Sequence, residues 1–330
     1  MRIVLDAMGG DNAPYEIIKG AYLAEKELSD LEIILVGRKD EVSAIINRDF
    51  SDLRCELVHA DEVVGMCEAP ALSIRKKRNS SMVIGLNLVK EKKADAFVSL
   101  GNTGAVVCAA TLGLRLIEGV DRPGIGLVIP TLTGTSFLMD VGANIDAKPS
   151  HLMQYGVMGQ VYSEILLNKS NPTVGMLNIG EEESKGTDFM RETMNLMQEK
   201  NTNFIGNVEA KELFCGNCDV IVCDGMIGNV ALKSSESAVK IFTALLKKYI
   251  KKNPIAMFGA FLMKSAFAEM KRKMDPAEFG GAPLLGIDGV VIVGHGNSNA
   301  HAVKNAIKVG YKEVNHNINA KIKEKINECK

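Results

Sequence analysis

Four short apolar runs in this chain each end in a cluster of Gly with polar residues: AFVSLGNTGA, MLNIGEEESKG, VIVCDGMIGNV and VVIVGHGNSNA. Such a cluster is typical of a corner where a strand turns into a helix. Gly lets the backbone approach an anion closely, and the first free N–H groups of the helix point towards it. One corner alone would be ordinary turn chemistry. Four in one open α/β sheet indicate an anion site beyond the carboxyl ends of the strands.

Strand-like runs alternate with helical ones along the chain, which is typical of repeated βαβ units and a mostly parallel sheet. Pro14 and Pro149 are each predicted to stand at the first position of a helix. No linker rich in Pro or Ser divides the chain, so one continuous α/β architecture is predicted. The predicted strands are residues 3–6, 32–36, 56–59, 96–100, 126–129, 137–140, 173–178, 220–223 and 290–293.

The amino-acid composition limits the classes of function that this protein can have. The 330 residues are 46% hydrophobic, enough to bury a full core, and 39 basic residues nearly balance 40 acidic ones. No overall field therefore favours nucleic acid as a partner. Seven Cys, an odd count, and no secretory apolar region behind Met1 predict a cytoplasmic protein with free thiols. The longest uncharged apolar stretch, 254–263, is half of the ~20 residues that a membrane-spanning helix needs.

Residues 234–273 break the alternation and predict a helical hairpin that projects from the sheet. Its tip carries apolar side chains flanked by Lys and Arg, which is typical of a segment that enters the surface of an anionic membrane. A contact between two subunits and ordinary core packing are the alternatives. The tip residues are Ile255, Met257, Phe258, Phe261 and Leu262.

Candidate site residues follow from the corners. We expect phosphate to bind at the first and last of them, with Lys185 as the cation and His295 as a hydrogen-bond or proton donor. Glu181, Glu182 and Glu183 are the expected partners of Lys185. The phosphate-binding candidates are Ser99, Gly101, Asn102, Thr103, Gly104, Gly296, Asn297 and Ser298.

Other corner residues are expected to complete the cleft. Asp224 and Asn229 are candidates to orient Lys185 or His295. Each assignment has a structural alternative: a solvated Lys185, a purely structural His295, and a helix cap for Asp224. The cleft and acyl-site candidates are Asp6, Gly9, Gly10, Asp11, Asn144, Asn178 and Gly180.

The sequence gives no motif for a metal or a cofactor. Cys215 and Cys218 form a Cys-x-x-Cys pair without a second ligand pair, so we interpret these thiols as incidental. The pattern G-x-G-x-x-G after a strand, with an acidic residue further on, is absent, which argues against a nicotinamide-dependent dehydrogenase.

Several longer motifs resemble the phosphate acyltransferase family, in order and over nearly the whole chain. They are LDAMGGDNAP, SLGNTGA, GVDRPGIG, MDVGAN, IGEEESKG, VCDGMIGNVALK and GGAPLLGIDGVVIVGHGNSNA. The resemblance implies a Rossmann-like α/β/α sandwich similar to phosphotransacetylases and isocitrate dehydrogenase-like folds. It implies a single acyltransferase domain over residues 1–330, with 234–273 as the projecting hairpin. Met226 and the loop holding Cys215 and Cys218 depart from the family pattern.

The resemblance also implies the reaction: transfer of a long fatty acyl group from acyl carrier protein to inorganic phosphate, for phospholipid synthesis, without a cofactor. The basic run Arg75, Lys76, Lys77 and Arg78 would then dock the acidic carrier protein. The implied protein is a homodimer that associates peripherally with the membrane. There it would meet an enzyme that passes the acyl group from acyl phosphate to glycerol 3-phosphate. The alternatives are a coenzyme A-dependent phosphotransacetylase for small acyl groups and a membrane scaffold without catalysis.

Overall fold

The computed structural model describes residues 1–200, 202–274 and 276–329, which form one eleven-stranded sheet with helices packed on it. The strands are β1 (Arg2–Asp6), β2 (Glu32–Gly37), β3 (Cys55–His59), β4 (Ala96–Ser99), β5 (Gly124–Thr131), β6 (Gly134–Met139), β7 (Val174–Asn178), β8 (Phe204–Glu209), β9 (Val220–Val222), β10 (Ala282–Leu285) and β11 (Val290–Val293). The helices are α1 (Tyr15–Glu27), α2 (Lys39–Asp49), α3 (Pro70–Lys76), α4 (Ser81–Lys90), α5 (Thr103–Gly113), α6 (Pro149–Leu166), α7 (Asp188–Glu199), α8 (Gly225–Lys251), α9 (Pro254–Leu262), α10 (Lys264–Met274), α11 (Pro276–Phe279), α12 (Ala300–Asn315) and α13 (Ile318–Glu328).

The strand order is β3-β2-β1-β4-β11-β10-β5-β6-β9-β7-β8, and the sheet is parallel in two blocks. One block runs from β3 to β11 and the other from β6 to β8. Between them, β10 is antiparallel to β11 and β5, and β5 is antiparallel to β6. Three reversals in succession leave the two blocks running in opposite directions. The corners that follow their strands therefore fall into two groups.

The core lies on both faces of this sheet. On one face, α4 and α5 cover β1 and β4, and Phe97 packs so closely on α4 that a Cβ at Gly85 would lie 2.5 Å from its ring. On the other face, α1 and α12 bury Ile17 and Ile307 against the same strands. The α6 helix covers the second block through Tyr155. Burial on both faces explains why the parallel strands read as continuous apolar runs.

The predicted fold class is confirmed, and all nine predicted strands are present. The two strands that the sequence missed are β8 and β10. Gly206 in β8 has φ +104°, and β10 is a four-residue strand that contains Pro283 and follows Gly281. Gly and Pro usually mark turns rather than strands, which explains both omissions. Pro149 begins α6 as predicted, whereas Pro14 lies one residue before α1.

The segment predicted as a hairpin is helical, but its first helix begins earlier. That helix, α8, starts at Gly225, directly after β9, and α9 and α10 follow it. Among the described residues of α8, only Gly225 and Gly228 are buried. Most of this helix therefore extends away from the core. Within the described chain, no helix is long and apolar enough to cross a membrane.

We expect Gly228→Ala to destabilise the protein by about 3 kcal/mol, because overpacking against a fixed backbone is costly. A Cβ at this position would lie 1.9 Å from the carbonyl oxygen of Asp140. The measurement is the free energy of unfolding in urea. Gly113→Ala is the matched control, since a Cβ there meets nothing within 4 Å. A Gly228→Ala protein as stable as the control would contradict the close packing.

Candidate functional site

The corners after β1, β4 and β11 form one continuous surface. Ser99 Oγ donates a hydrogen bond of 2.8 Å to the Asp6 carboxylate and accepts one of 3.1 Å from Gly101 N–H. Asp11 N–H donates to the carbonyl of Gly296 at 2.7 Å. Three of the predicted corner segments are therefore joined by direct bonds. We call this surface the first corner group.

Glycine is required where these segments meet. A Cβ at Gly9 would lie 2.6 Å from Asp6 Oδ2 and 2.9 Å from the nitrogen of Gly101. Gly10 has φ +104°, and a Cβ there would lie 3.0 Å from the oxygen of Gly296. Both positions exclude a side chain, which explains the Gly-Gly pair in the first motif.

Asp6 organises this group from inside the protein. Its side chain is buried. Burial raises the pKa of the carboxyl, while hydrogen bonds from the hydroxyls of Ser81 and Ser99 and from the N–H groups of Met8 and Gly9 oppose the rise. The carboxylate thus holds a turn and a hydroxyl together and does not face solvent as a base.

The Asn102 side chain is fully occupied by the protein itself. Its Oδ1 caps α5 by accepting Ala105 N–H at 3.1 Å. Its Nδ2 donates to the carbonyls of Met66 at 3.0 Å and Glu68 at 2.9 Å, and more weakly to Gly65. The side chain therefore fixes the loop before α3. An anion at this corner would meet backbone N–H groups instead of the amide.

The first turn of α5 supplies those N–H groups. Thr103, its first residue, is exposed, and the adjacent Gly104 lets Pro70 of α3 approach to 2.8 Å from where a Cβ would stand. The free N–H groups at a helix start carry partial positive charge. This corner is thus open to an anion on one side and closed by α3 on the other.

The helix start after β11 is occupied differently. Ala300 N–H donates to the Glu16 carboxylate at 2.6 Å, and Asn299 caps α12 by accepting Ala302 N–H at 3.1 Å. The sequence did not single out Glu16 or Asn299. The carbonyls of Asn297 and Ser298 accept hydrogen bonds from Asn12. Asn297 and Ser298 therefore help to fix the loop, and Glu16 already occupies the start of α12.

The corners after β6 and β9 meet in a second corner group, organised by Asp140. This buried carboxylate accepts backbone N–H bonds from Ile125 at 3.0 Å, Gly142 at 3.0 Å, Ala143 at 2.9 Å and Asn144 at 2.7 Å. Burial raises the pKa of Asp140, and these N–H groups oppose the rise. Asp140 was not predicted as a site residue, although it stands in the MDVGAN motif.

Helix α8 begins in this second group. Asp224 Oδ1 accepts N–H bonds of 2.9 Å from both Met226 and Ile227, which is the capping role that the sequence left open. The carbonyl of Asn144 accepts Gly225 N–H at 2.8 Å. Asn229 is exposed beside the corner after β6.

Lys185 lies in the loop after β7, and β7 is the strand that pairs with β9 in the sheet. Asn178 Nδ2 donates to its carbonyl at 3.3 Å, and a Cβ at Gly180 would lie 3.1 Å from its side chain. The side chain is exposed. One expectation is wrong: Glu181 pairs with Lys211, at 3.0 Å, and not with Lys185. Lys185 therefore belongs to the second block of strands and not to the first corner group.

A direct contact joins the two corner groups. Lys233 Nζ of α8 lies 2.8 Å from Nε2 of His295, which follows β11. Lys233 was not among the predicted site residues. The available signals were its place at the end of the VCDGMIGNVALK motif and its position one helical turn after Asn229 on the same face of α8.

The basic run on α3 is exposed except for one member. Arg75, Lys76 and Arg78 face solvent. Lys77 instead donates to the carbonyl of Val63 at 2.7 Å and pairs with Glu68. Three of the four predicted docking residues remain accessible to an acidic partner. No group of three or more His, Cys, Asp or Glu side chains within the described ranges is arranged to hold a metal ion.

The fold and the two corner groups define an α/β sandwich of the phosphotransacetylase type. A phosphotransacetylase from Streptococcus pyogenes matches with a TM-score of 0.65 at 18% identity, over 95% of this chain and 94% of that one. At this identity, the likeness shows the fold alone.

Sequence relatives give the family. A family model described as "Fatty acid synthesis protein" matches residues 1–321. The phosphate acyltransferase of Dictyoglomus turgidum is 48% identical over 99% of this chain and 98% of its own length. That of Heliobacterium modesticaldum is 47% identical over the same shares. The chain therefore belongs to the phosphate acyltransferase family and is an acyltransferase enzyme, which confirms the resemblance.

We expect Asn102→Ala to lower the free energy of unfolding by about 2 kcal/mol, because a helix cap and two bonds to the loop before α3 are lost together. Asn102→Asp should keep the cap and still free the loop. Urea unfolding measures the stability, and limited proteolysis reports release of residues 65–68. Asn47→Ala, at an exposed position of α2, is the control. Equal stability of Asn102→Ala and the control would contradict the assigned role.

Proposed function

We propose that this enzyme transfers a long-chain acyl group from an acyl carrier protein thioester to inorganic phosphate, and that the acyl phosphate product enters phospholipid synthesis. The observation that carries this proposal is the first corner group. There the open start of α5 and His295 stand on adjacent corners, joined by the bonds around Asp6 and Gly296. Family membership supports phosphate as the acyl acceptor.

The chemistry needs positioning more than a strong base, since phosphate near neutral pH is already a nucleophile. A phosphate oxygen attacks the thioester carbonyl carbon, so a C–O bond forms while the C–S bond breaks. The thiolate leaves with the electron pair and takes the proton that hydrogen phosphate loses on becoming an acyl phosphate, relayed through His295 or water. Holding both reactants together removes much of the entropic barrier. The N–H groups of Thr103 and Gly104 would hold the phosphate, and other preorganised N–H donors of the corners would stabilise the oxyanion that forms during attack.

Lys185 is proposed as a cation that approaches the reactants from the second corner group, with Asn229 and Asp224 positioning it. In this proposal residues 1–330 act as one acyltransferase domain. The acyl thioester would lie between the corner groups, where Asn144 fixes the turn after β6 through Pro123 and Tyr155, and Asn178 fixes the loop after β7 that holds Gly180.

The carrier protein would dock at α3. Arg75, Lys76 and Arg78 are exposed there, and the bonds from Asn102 fix the loop that leads into this helix. An acidic carrier protein would be attracted by this local charge on an otherwise balanced surface. Docking at α3 would bring the thioester arm close to the start of α5.

Helices α8 to α10 would bind a second copy of the chain and the membrane surface. At the tip, Ile255 is 82% exposed and Phe261 70%, and further exposed apolar residues lie along α8, including Phe242 and Tyr249. Apolar area of this extent calls for a partner surface. We propose that α8 contacts a second copy of the chain and that the α9 tip enters the membrane surface. The enzyme would then be cytoplasmic, dimeric and peripheral to the membrane, near the enzyme that consumes acyl phosphate.

The fold favours one alternative donor. Phosphotransacetylases share the architecture, so a coenzyme A thioester is the competing substrate. Equal activity with coenzyme A and carrier-protein thioesters in direct competition would count against the proposed donor.

Purified protein incubated with acyl carrier protein thioester and labelled phosphate should give a hydroxylamine-reactive acyl phosphate.

Lys185→Ala should lower kcat/KM by about 100-fold, because one preorganised donor of this kind contributes several kcal/mol. Lys90→Ala, an exposed lysine at the far end of α4, is the control. Absence of product from the wild-type protein would refute the reaction, and full activity of Lys185→Ala would refute the role of that residue.

Reversing the charge at α3 tests carrier docking. Arg75→Glu combined with Arg78→Glu should raise KM for the carrier-protein donor about tenfold, because attraction becomes repulsion. KM for phosphate should not change. The control combines Lys90→Glu with Lys312→Glu, two exposed lysines in the last turns of α4 and α12. If both double variants raise KM for the donor equally, docking is not local to α3.

A further inference from the structure

Lys233 stands where α8 passes from the second corner group to the first. The helix starts against the corner after β6, where a Cβ at Gly228 would lie 1.9 Å from the carbonyl oxygen of Asp140. Ala231 and Leu232 then pack on the core. The position of Lys233 is therefore set by the close packing of the residues that precede it in the helix.

The hydrogen bonds of Lys233 leave capacity for a ligand. Its ammonium has three N–H donors. Within the described chain, Glu236 accepts one at 3.1 Å and Nε2 of His295 lies 2.8 Å away as acceptor of another. One donor remains. An Nε2 that accepts from the ammonium places the ring proton on Nδ1.

The charges around the pair favour an anion. Glu236 is the less exposed partner, at 17% against 47% for Lys233, so the ammonium is the member of the ion pair that faces solvent. The open start of α5 belongs to the corner beside His295, because β4 and β11 are paired neighbours. A phosphate there would receive charge-assisted bonds from Lys233 and dipolar bonds from α5.

We propose that Lys233 is a phosphate-binding residue of the acyl transfer, acting together with His295 across the gap between α8 and the loop after β11. This inference rests on the proposed function and adds a cation that neither the motifs nor the relatives' names assign. Glu236 holds the ammonium in place, and phosphate takes its third donor.

Kinetics of Lys233→Met test the assignment. KM for phosphate should rise at least about tenfold, the effect of losing one charged hydrogen bond, while KM for the acyl donor stays within about twofold. Lys233→Arg should recover part of the loss, because the charge returns in another geometry. Lys90→Met should behave as wild type. A folded Lys233→Met protein with an unchanged KM for phosphate would overturn the proposal.

A second measurement uses the wild-type protein and does not depend on a variant that folds. Phosphate should slow the labelling of Lys233 by an amine-acylating reagent, followed by mass spectrometry, and should leave Lys90 unaffected at equal ionic strength. Equal labelling of Lys233 with and without phosphate would overturn the proposal. This measurement of binding separates the proposed reaction from the proposed phosphate site. Protection of Lys233 without formation of acyl phosphate would refute the reaction but would support phosphate binding at Lys233.

Discussion

The contact of Gly228 with the backbone of Asp140 is the constraint on which the site depends. The sheet reverses direction through β10, β5 and β6, so its corners form two groups that strand pairing alone would leave apart. Helix α8 joins them, and it does so because glycine lets it lie directly on the corner after β6. From that fixed contact, the next five residues of the helix carry Lys233 to His295. The chemistry proposed here follows from this one close approach.

Two buried carboxylates have matching roles in the two corner groups. Asp6 ends β1 and Asp140 follows β6, and each accepts several hydrogen bonds from the turn that it precedes. Burial raises the pKa of both groups, and their donors offset part of that cost. They are organisers of backbone geometry. Because both carboxylates are buried, the groups proposed to contact the reactants are the exposed ones, Lys185, Lys233 and His295.

Sequence patterns predicted the fold well, because strands buried on both faces read as apolar runs and corners read as Gly clusters. Such patterns report single strands, and the reversal of direction through β10 is a property of pairing, so the division into two corner groups was not predictable. Side-chain roles were harder still. Asn102 was selected as an anion ligand, yet its amide holds the loop before α3. Lys233 was overlooked because its partner, His295, is 62 residues away in the chain.

Glu16 has a consequence for which anions this surface accepts. Its carboxylate occupies the start of α12, while the start of α5 on the neighbouring strand stays open. A ligand with two linked phosphates, such as a nucleoside diphosphate, would meet that carboxylate wherever its second phosphate approached the start of α12. Coulomb repulsion would then oppose binding. The start of α12 is thus closed to a second anion by the protein's own carboxylate, although dinucleotide sites elsewhere use the same type of helix start.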